Sequence, residues 1–199
     1  VGQTPVNVEE IGCDMFTATS RKFLRGPRGV GFLYASPAAI KKLRPLTLTN
    51  NAAVWTARSD MEVRDDARIF EGWERSVALQ LGFGAALDLI LSLGPDAVMA
   101  QARVIAAYLR EQLSSQQGIT VHDPEGPRGV IVTFSSDRES PEAMKERLEA
   151  RGIAVNVASV VHTRLDLEPR GIESLVRVSP QYYTTKNDVD NLSAAIVER

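Results

Sequence analysis

The chain has 199 residues, of which 44% are hydrophobic and 24% are charged, a composition typical of one or two globular domains. Its formal net charge of −2 argues against a general nucleic-acid binder, and the sequence predicts neither a membrane span nor a signal segment. The single cysteine, Cys13, leaves no internal disulfide and no cysteine-based metal site, so we expect a cytoplasmic protein.

The first predicted elements are two strands that flank a basic bend. Residues 14–19 predict a short buried strand, and residues 29–36 predict a second strand that is apolar on both faces and therefore central in a sheet. Between them, residues 20–29 read SRKFLRGPRG, a turn that carries four cations. Ser36 and Pro37 then predict the N-cap and the first residue of a short helix.

The middle of the chain predicts a loop and two long helices. Residues 44–69 have no sustained period, which indicates a long loop. Residues 71–93 have a helical pattern that is apolar on almost all sides, which predicts a buried helix. After a break at residues 94–95, a second helix is predicted over 96–114, with apolar positions at Val98, Ile105 and Leu109.

The last part of the chain predicts a small α/β domain on a mostly antiparallel or mixed sheet. Its predicted strands cover 118–124, 129–136, 153–159 and 174–180, and its predicted helices cover 140–152 and 185–199. The two strands near the N-terminus are too few to build a core of their own. We therefore expect a larger sheet domain that precedes this chain.

Lys22 is the candidate reactive group of the basic bend. A lysine amine is a nucleophile only when it is uncharged, and both burial and neighbouring cations such as Arg21 and Arg25 favour the uncharged form. Such an amine can form a Schiff base with an aldehyde. A phosphate on the same molecule would be bound by Ser20, Arg21 and backbone N–H groups of the turn. Pyridoxal 5'-phosphate (PLP) has both of these groups.

Three stretches, taken together and in this order, resemble the class V aminotransferase family of PLP-dependent enzymes. They are FTATSRKFLRGPRGVGFLYAS at 16–36, IFEGWERSVALQLGFGAALDLILSLG at 69–94 and SLVRVSPQYYTTKNDVDNL at 174–192. Within the family, RKFLRGPRGVGFLY and FEGWERSVA are most similar to the branch of isopenicillin-N epimerase-like proteins and hercynylcysteine sulfoxide lyases.

The resemblance implies an α/β chain that is the C-terminal part of an enzyme with the PLP-transferase fold (fold type I). Residues 1–70 would be the end of the large cofactor-binding domain, with two strands of its sheet. Residues 71–116 would be long connecting helices, and residues 117–199 the small α/β domain. The family's aspartate for the pyridinium nitrogen would lie upstream of Val1, so this chain alone is expected to be inactive.

The resemblance also implies residue roles and partners. Lys22 would hold PLP as a Schiff base and then move the α-proton, Ser20 and Arg21 would bind the phosphate, and Arg177 would bind the carboxylate of an amino-acid substrate. The reaction would be transamination, or C–S β-elimination of a cysteine derivative, with epimerisation also open. The resemblance implies a homodimer, whereas the expectation of no nucleic-acid and no membrane partner rests on the charge and the apolar stretches described above.

Simpler interpretations remain for the same residues. Lys22 could be a solvated surface lysine, and Arg177, which alternates with Val176 and Val178, could be an exposed strand residue or part of an ion pair. The protein could then be a non-catalytic fragment, an anion-binding domain that uses the basic bend, or a domain that binds a partner through residues 77–90. Cofactor absorbance that is lost on Lys22→Ala substitution separates the enzyme from these alternatives.

Overall fold

The structure is a computed structural model that describes residues 1–123, 126 and 128–198. The chain forms two compact units, Val1–Pro95 and Asp96–Arg199, and each is described by itself. Both units combine helices with antiparallel strands, as the predicted α/β class requires. The three-part domain division remains a prediction.

The first unit consists of short helices, two strand pairs and one long helix. Its elements are α1 (Val8–Ile11), β1 (Met15–Thr19), β2 (Gly31–Ala35), α2 (Pro37–Lys42), β3 (Ala53–Ala57), β4 (Asp60–Val63), a 3₁₀ turn (Ala67–Phe70) and α3 (Val77–Leu93). The predicted start of α2 is confirmed, because the Ser36 hydroxyl accepts the Ala39 N–H at 3.0 Å and Pro37 is the first helical residue.

β1 and β2 form an antiparallel pair, which confirms that both predicted strands exist. The prediction that the first strand is buried is wrong within this unit, because every residue of β1 is exposed or half-buried. Within the residues that the structure describes, β2 pairs with β1 alone and Phe32 is 38% exposed. The prediction that β2 lies in the centre of a larger sheet therefore stays a prediction for the full protein. At Gly31, a Cβ would collide with the carbonyl oxygen of Ala18 in β1. The close approach of these two strands therefore requires glycine at this position.

Residues 44–69 contain a β-hairpin, so the prediction of a long loop is wrong. β3 and β4 pair antiparallel, with Trp55 opposite Met61. Two features hide the hairpin from sequence analysis. Its connection, at residues 58–59, lacks the Asn-Gly or Gly signal of a tight hairpin turn. Its strands are exposed along most of their length, so they lack the alternation of apolar and polar residues that marks a half-buried strand.

Helix α3 begins later than the sequence pattern predicts. Ser76 caps it, since its hydroxyl accepts a backbone N–H at 3.4 Å, so residues 71–75 lie outside the helix. The expectation of a helix buried all round is also wrong within this unit, because only Phe83 and Ile90 are buried. The exposed apolar side chains of α3 are Val77, Leu81, Leu89, Leu91 and Leu93.

The remaining elements build one four-stranded sheet with helices. They are α4 (Pro95–Ser114), β5 (Ile119–Val121), β6 (Val132–Ser136), α5 (Pro141–Ala150), β7 (Asn156–Ser159), α6 (Arg164–Leu167), a 3₁₀ turn (Glu168–Arg170), β8 (Ser174–Val178) and α7 (Lys186–Val197). The strand order is β5-β6-β8-β7 and every pair is antiparallel, so of the two predicted alternatives the antiparallel sheet is confirmed. α6 and its 3₁₀ turn are too short to have a detectable sequence period.

The buried residues of the second unit lie on α4, α5, α7 and the strands of the sheet. The predicted apolar positions Val98, Ile105 and Leu109 of α4 are all buried. Phe134 of β6 and Val176 of β8 face each other and are fully buried. Among the described residues, no single helix is long and apolar enough to cross a membrane, whereas α3 and α4 taken together pass that test by length and composition alone.

Candidate functional site

The basic bend between β1 and β2 is closed by backbone hydrogen bonds. The Ser20 N–H donates to Val30 O at 3.0 Å, and the Gly26 N–H donates to Ser20 O at 2.9 Å. Within this loop, the Arg25 N–H donates to Lys22 O at 3.0 Å, and Arg25 has a positive φ of 58°. Few non-glycine residues adopt such a φ. The bend is thus a tight, defined turn that carries Lys22 at its tip.

Buried neighbours hold the bend against the rest of the first unit. Phe23 and Leu24 are 8% and 7% exposed, whereas Arg21 and Lys22 just before them are exposed. At Gly26, a Cβ would lie 2.9 Å from the Cδ2 atom of Phe83 in α3, so a larger residue would displace the turn. The apolar pair therefore anchors the turn and leaves the two cations facing solvent.

The side chains of Lys22 and Arg21 are exposed at the tip of the turn. Neither side chain forms an ion pair or a hydrogen bond with another residue that the structure describes. The burial that would favour an uncharged Lys22 is not provided by β1 and β2 within this unit, because both strands end before the tip of the turn. The position leaves the Lys22 amine accessible to a ligand. Its catalytic role, and the phosphate role of Arg21, remain predictions.

Ser20 differs from its two neighbours because it is fully buried. Its hydroxyl donates to the carbonyl oxygen of Pro27, and its N–H is bonded to Val30 O. Both of its donors are therefore engaged inside the turn. In this structure Ser20 stabilises the bend, and its predicted contact with a phosphate remains a prediction.

Arg177 lies in the second unit, near the end of β8. The register places it opposite Thr133 of β6 and Asn156 of β7. Its side chain is half-buried, and its Nε atom is buried without a hydrogen-bond partner among the described residues. Buried charged groups are normally paired, so this guanidinium is suited to an anionic ligand. Its predicted role as the carboxylate-binding residue remains a prediction.

His122 belongs to a polar cluster that the sequence alone does not reveal. Arg170 pairs with Asp166 at 3.0 Å and donates from Nη2 to His122 Nδ1 at 3.3 Å. Because arginine can only donate, Nδ1 is the acceptor and the opposite nitrogen, Nε2, carries the proton. Nε2 then donates to Ser135 Oγ at 2.8 Å. This tautomer cannot take a proton from Ser135, so the pair supports structure and does not form a nucleophile–base dyad.

We expect the second unit to become less stable below about pH 6.5 because of His122. Desolvation, and secondly the Arg170 charge, lower the pKa of His122 from its ordinary value of 6.5. In mildly acidic solution, the His122 side chain is therefore protonated more readily in the unfolded chain than in the folded chain. The contribution of His122 to stability is present above the unfolded pKa and is lost as the pH falls. Urea unfolding of the full protein at about pH 7.5 and about pH 5.5 measures this loss.

The His122→Gln variant provides the comparison for this pH dependence. It should lose less stability than the wild type between the two pH values, because glutamine does not titrate. The matched control is His162→Gln, which replaces an exposed histidine in the same unit and should keep the wild-type pH dependence. An identical pH dependence in His122→Gln and the wild type would contradict the prediction.

Comparisons with known proteins relate nearly the whole chain to one group of sequences. The sequence profile of the family "Aminotransferase class-V" matches residues 1–192. A probable cysteine desulfurase of Halalkalibacterium halodurans is 29% identical over 191 residues, which cover 96% of this chain and 46% of that protein. The cysteine desulfurase of Haloferax volcanii is 27% identical over 194 residues, which cover 96% of this chain and 45% of that protein. The chain thus spans slightly less than half the length of these relatives.

Structural neighbours agree with this relationship. The apo cysteine desulfurase of Thermococcus onnurineus superposes with a TM-score of 0.88 at 18% identity, over 98% of this chain and 49% of that one. The cysteine desulfurase CsdA of Escherichia coli has a TM-score of 0.84 at 21% identity, and the match covers 98% of this chain and 48% of that one. The cystine C–S lyase C-DES, in complex with cysteine persulfide, has a TM-score of 0.81 at 19% identity, and the match covers 97% of this chain and 48% of that one. These likenesses confirm the predicted PLP-transferase fold.

Proposed function

Because the chain belongs to the class V aminotransferase family, we propose that the protein is a PLP-dependent enzyme that cleaves the C–S bond of cysteine or a cysteine derivative. PLP is the cofactor that the family indicates, and a C-DES variant carries glycine covalently linked to PLP. Since the chain spans about half of its relatives, the activity is proposed for the full protein. The predicted branch within the family remains a prediction.

The residues of the bend fit the aldehyde of PLP well and its phosphate in part. The Lys22 amine is exposed at the tip of a closed turn, where a carbonyl carbon can reach it. The exposed Arg21 guanidinium, which has no partner among the described residues, can donate to a phosphate. Ser20 fits less well, because its hydroxyl already donates to Pro27 O. The accessible Lys22 amine is the observation that carries the proposal.

Bound PLP supplies an electron sink that stabilises negative charge at the substrate's Cα. Lys22 has two roles in this proposal. Its Nζ atom holds the cofactor through a covalent bond to the aldehyde carbon. The same amine, when free, would take the proton from the substrate's Cα, as a general base. Its accessible position at the tip of the turn, with no ion-pair or hydrogen-bond partner among the described residues, supports the attachment role.

Arg177 is proposed to bind the substrate's α-carboxylate. A guanidinium binds a carboxylate through two parallel N–H groups, which sets orientation as well as affinity. β8 supports this role, because Leu175 and Val176 beside Arg177 are 1% and 0% exposed and hold the strand in place. A carboxylate held at a fixed point restricts the orientation of the bound substrate.

The C–S specificity is supported by the cysteine desulfurases among the relatives, and product analysis tests it. The full protein, loaded with PLP, would be incubated with L-cysteine. We expect sulfur to leave Cβ, either as sulfide with pyruvate and ammonia, or by transfer to a thiol with alanine as the carbon product. Formation of 3-mercaptopyruvate, with the amino group left on the cofactor, would instead establish transamination.

Experiments on the full protein also test the non-catalytic alternatives and the quaternary structure. A full protein that retains no PLP and changes no amino acid would favour the non-catalytic fragment or anion-binding domain. We also propose a homodimer, on the strength of the family resemblance. Light scattering of the full protein would contradict this proposal if it gave the mass of one chain.

A further inference from the structure

Arg177 lies in a row of polar side chains that crosses three strands of the sheet. The register pairs it with Asn156 of β7 on one side and with Thr133 of β6 on the other. Residues directly opposite in antiparallel strands point to the same face, with Cβ atoms about 4.5–5.5 Å apart. The neighbouring pair, Val176 and Phe134, is fully buried and points to the opposite face. We call Asn156, Arg177 and Thr133 the polar row.

Hydrogen bonds determine what each end of the polar row offers to a ligand. The Asn156 Oδ1 atom accepts the N–H of Val157 at 2.8 Å, so the amide oxygen is directed to the backbone and Nδ2 remains as a donor. Asn156 is exposed, so this donor is accessible within the unit. The Thr133 hydroxyl donates to His122 O at 3.2 Å, so only its oxygen lone pairs remain, as acceptors.

The polar row has a hydrogen-bond donor at Asn156 and an acceptor at Thr133, and this difference determines where an anion binds. A carboxylate can only accept hydrogen bonds, so the acceptor oxygen of Thr133 repels it while the Asn156 amide attracts it. A carboxylate that binds the Arg177 guanidinium is therefore placed towards β7, within reach of a side chain on the neighbouring strand. Thr133 can instead accept from the guanidinium and orient it.

We propose that Asn156 is a second substrate-binding residue, which donates from Nδ2 to the same α-carboxylate that Arg177 binds. The proposal rests on the proposed function, since it assigns a further residue to that carboxylate. It identifies the substrate class as amino acids with a free α-carboxylate. Amino-acid amides, which lack the charge, would gain little from the polar row.

The Asn156→Asp variant of the full protein tests this assignment. Aspartate has the size of asparagine and keeps an oxygen for the Val157 N–H, but it replaces the donor with a negatively charged acceptor. Binding of L-cysteine and of L-cysteinamide would be titrated through the absorbance of bound PLP. We expect L-cysteine to bind about 10- to 100-fold more weakly and L-cysteinamide to change by less than about threefold. KM for L-cysteine should rise much more than kcat falls.

Asn187→Asp is the matched control, because Asn187 is an exposed asparagine in α7 of the same unit. It should bind both compounds like the wild type. Asn156→Ala removes the donor without adding a charge, so it should weaken L-cysteine binding less than Asn156→Asp does.

Three outcomes are distinguished by this experiment. Selective loss of L-cysteine binding in Asn156→Asp supports the proposal. Unchanged binding, or an equal loss for both compounds, overturns the role of Asn156 and leaves the proposed function intact. A wild-type protein whose PLP absorbance responds to neither compound overturns the proposed function, and this inference with it.

Discussion

Replacement of Lys22 by alanine should abolish both cofactor attachment and turnover in the full protein. The variant lacks the amine that bonds to the aldehyde carbon and the base that moves the α-proton. Because covalent attachment and proton transfer are lost together, kcat/KM should fall by at least about a thousandfold. The turn itself should survive, since its buried residues Phe23 and Leu24 and its backbone hydrogen bonds do not involve the Lys22 side chain.

Borohydride reduction followed by peptide mapping measures the attachment directly. Reduction converts the bond between a lysine amine and the aldehyde carbon into a stable link, so the peptide that contains Lys22 should carry the label. Lys41→Ala is the matched control, because Lys41 is an exposed lysine of α2 in the same unit. It should retain label, absorbance and activity. A label on any other peptide, or full activity in Lys22→Ala, would refute the assignment.

Phe134→Ala should be among the most destabilising substitutions in the second unit. Phe134 is fully buried in β6, opposite Val176 of β8. Truncation of a buried phenylalanine to alanine removes apolar contacts and leaves a cavity, which costs about 3–5 kcal/mol. The pair lies directly beside Thr133 and Arg177 in the ladder, so carboxylate binding should weaken as well. Urea unfolding of the full protein measures the loss of stability.

An exposed residue in the same unit provides the control for this measurement. Leu165 is 96% exposed, so Leu165→Ala should change the free energy of unfolding by less than about 0.5 kcal/mol. Phe134→Leu, which keeps an apolar side chain of intermediate size, should fall between the two. Equal stability of Phe134→Ala and Leu165→Ala would show that the sheet face under Arg177 is not the core of this unit.

Local signals in the sequence predict much of the secondary structure and the candidate reactive group. Ser36 and Ser140 cap α2 and α5 as the Ser-Pro pairs indicate, and the basic bend lies between two strands as expected. The Thr185 and Asp188 side chains form a reciprocal cap at the start of α7. Such features depend on residues within a few positions of one another, so a single sequence contains the information needed to find them.

Features that depend on distant residues are decided by the tertiary structure. The fully buried Ser20, whose hydroxyl donates to Pro27 O, and the neighbours of Arg177 on β6 and β7 are examples. Thr133 and Asn156 are far from Arg177 in the chain, and strand propensity does not specify which residues become opposite. The sequence by itself thus predicted the candidate reactive lysine and determined the fold class. Only the packing of separate strands, which sets the register, determined that the donor Asn156 and the acceptor Thr133 flank the arginine.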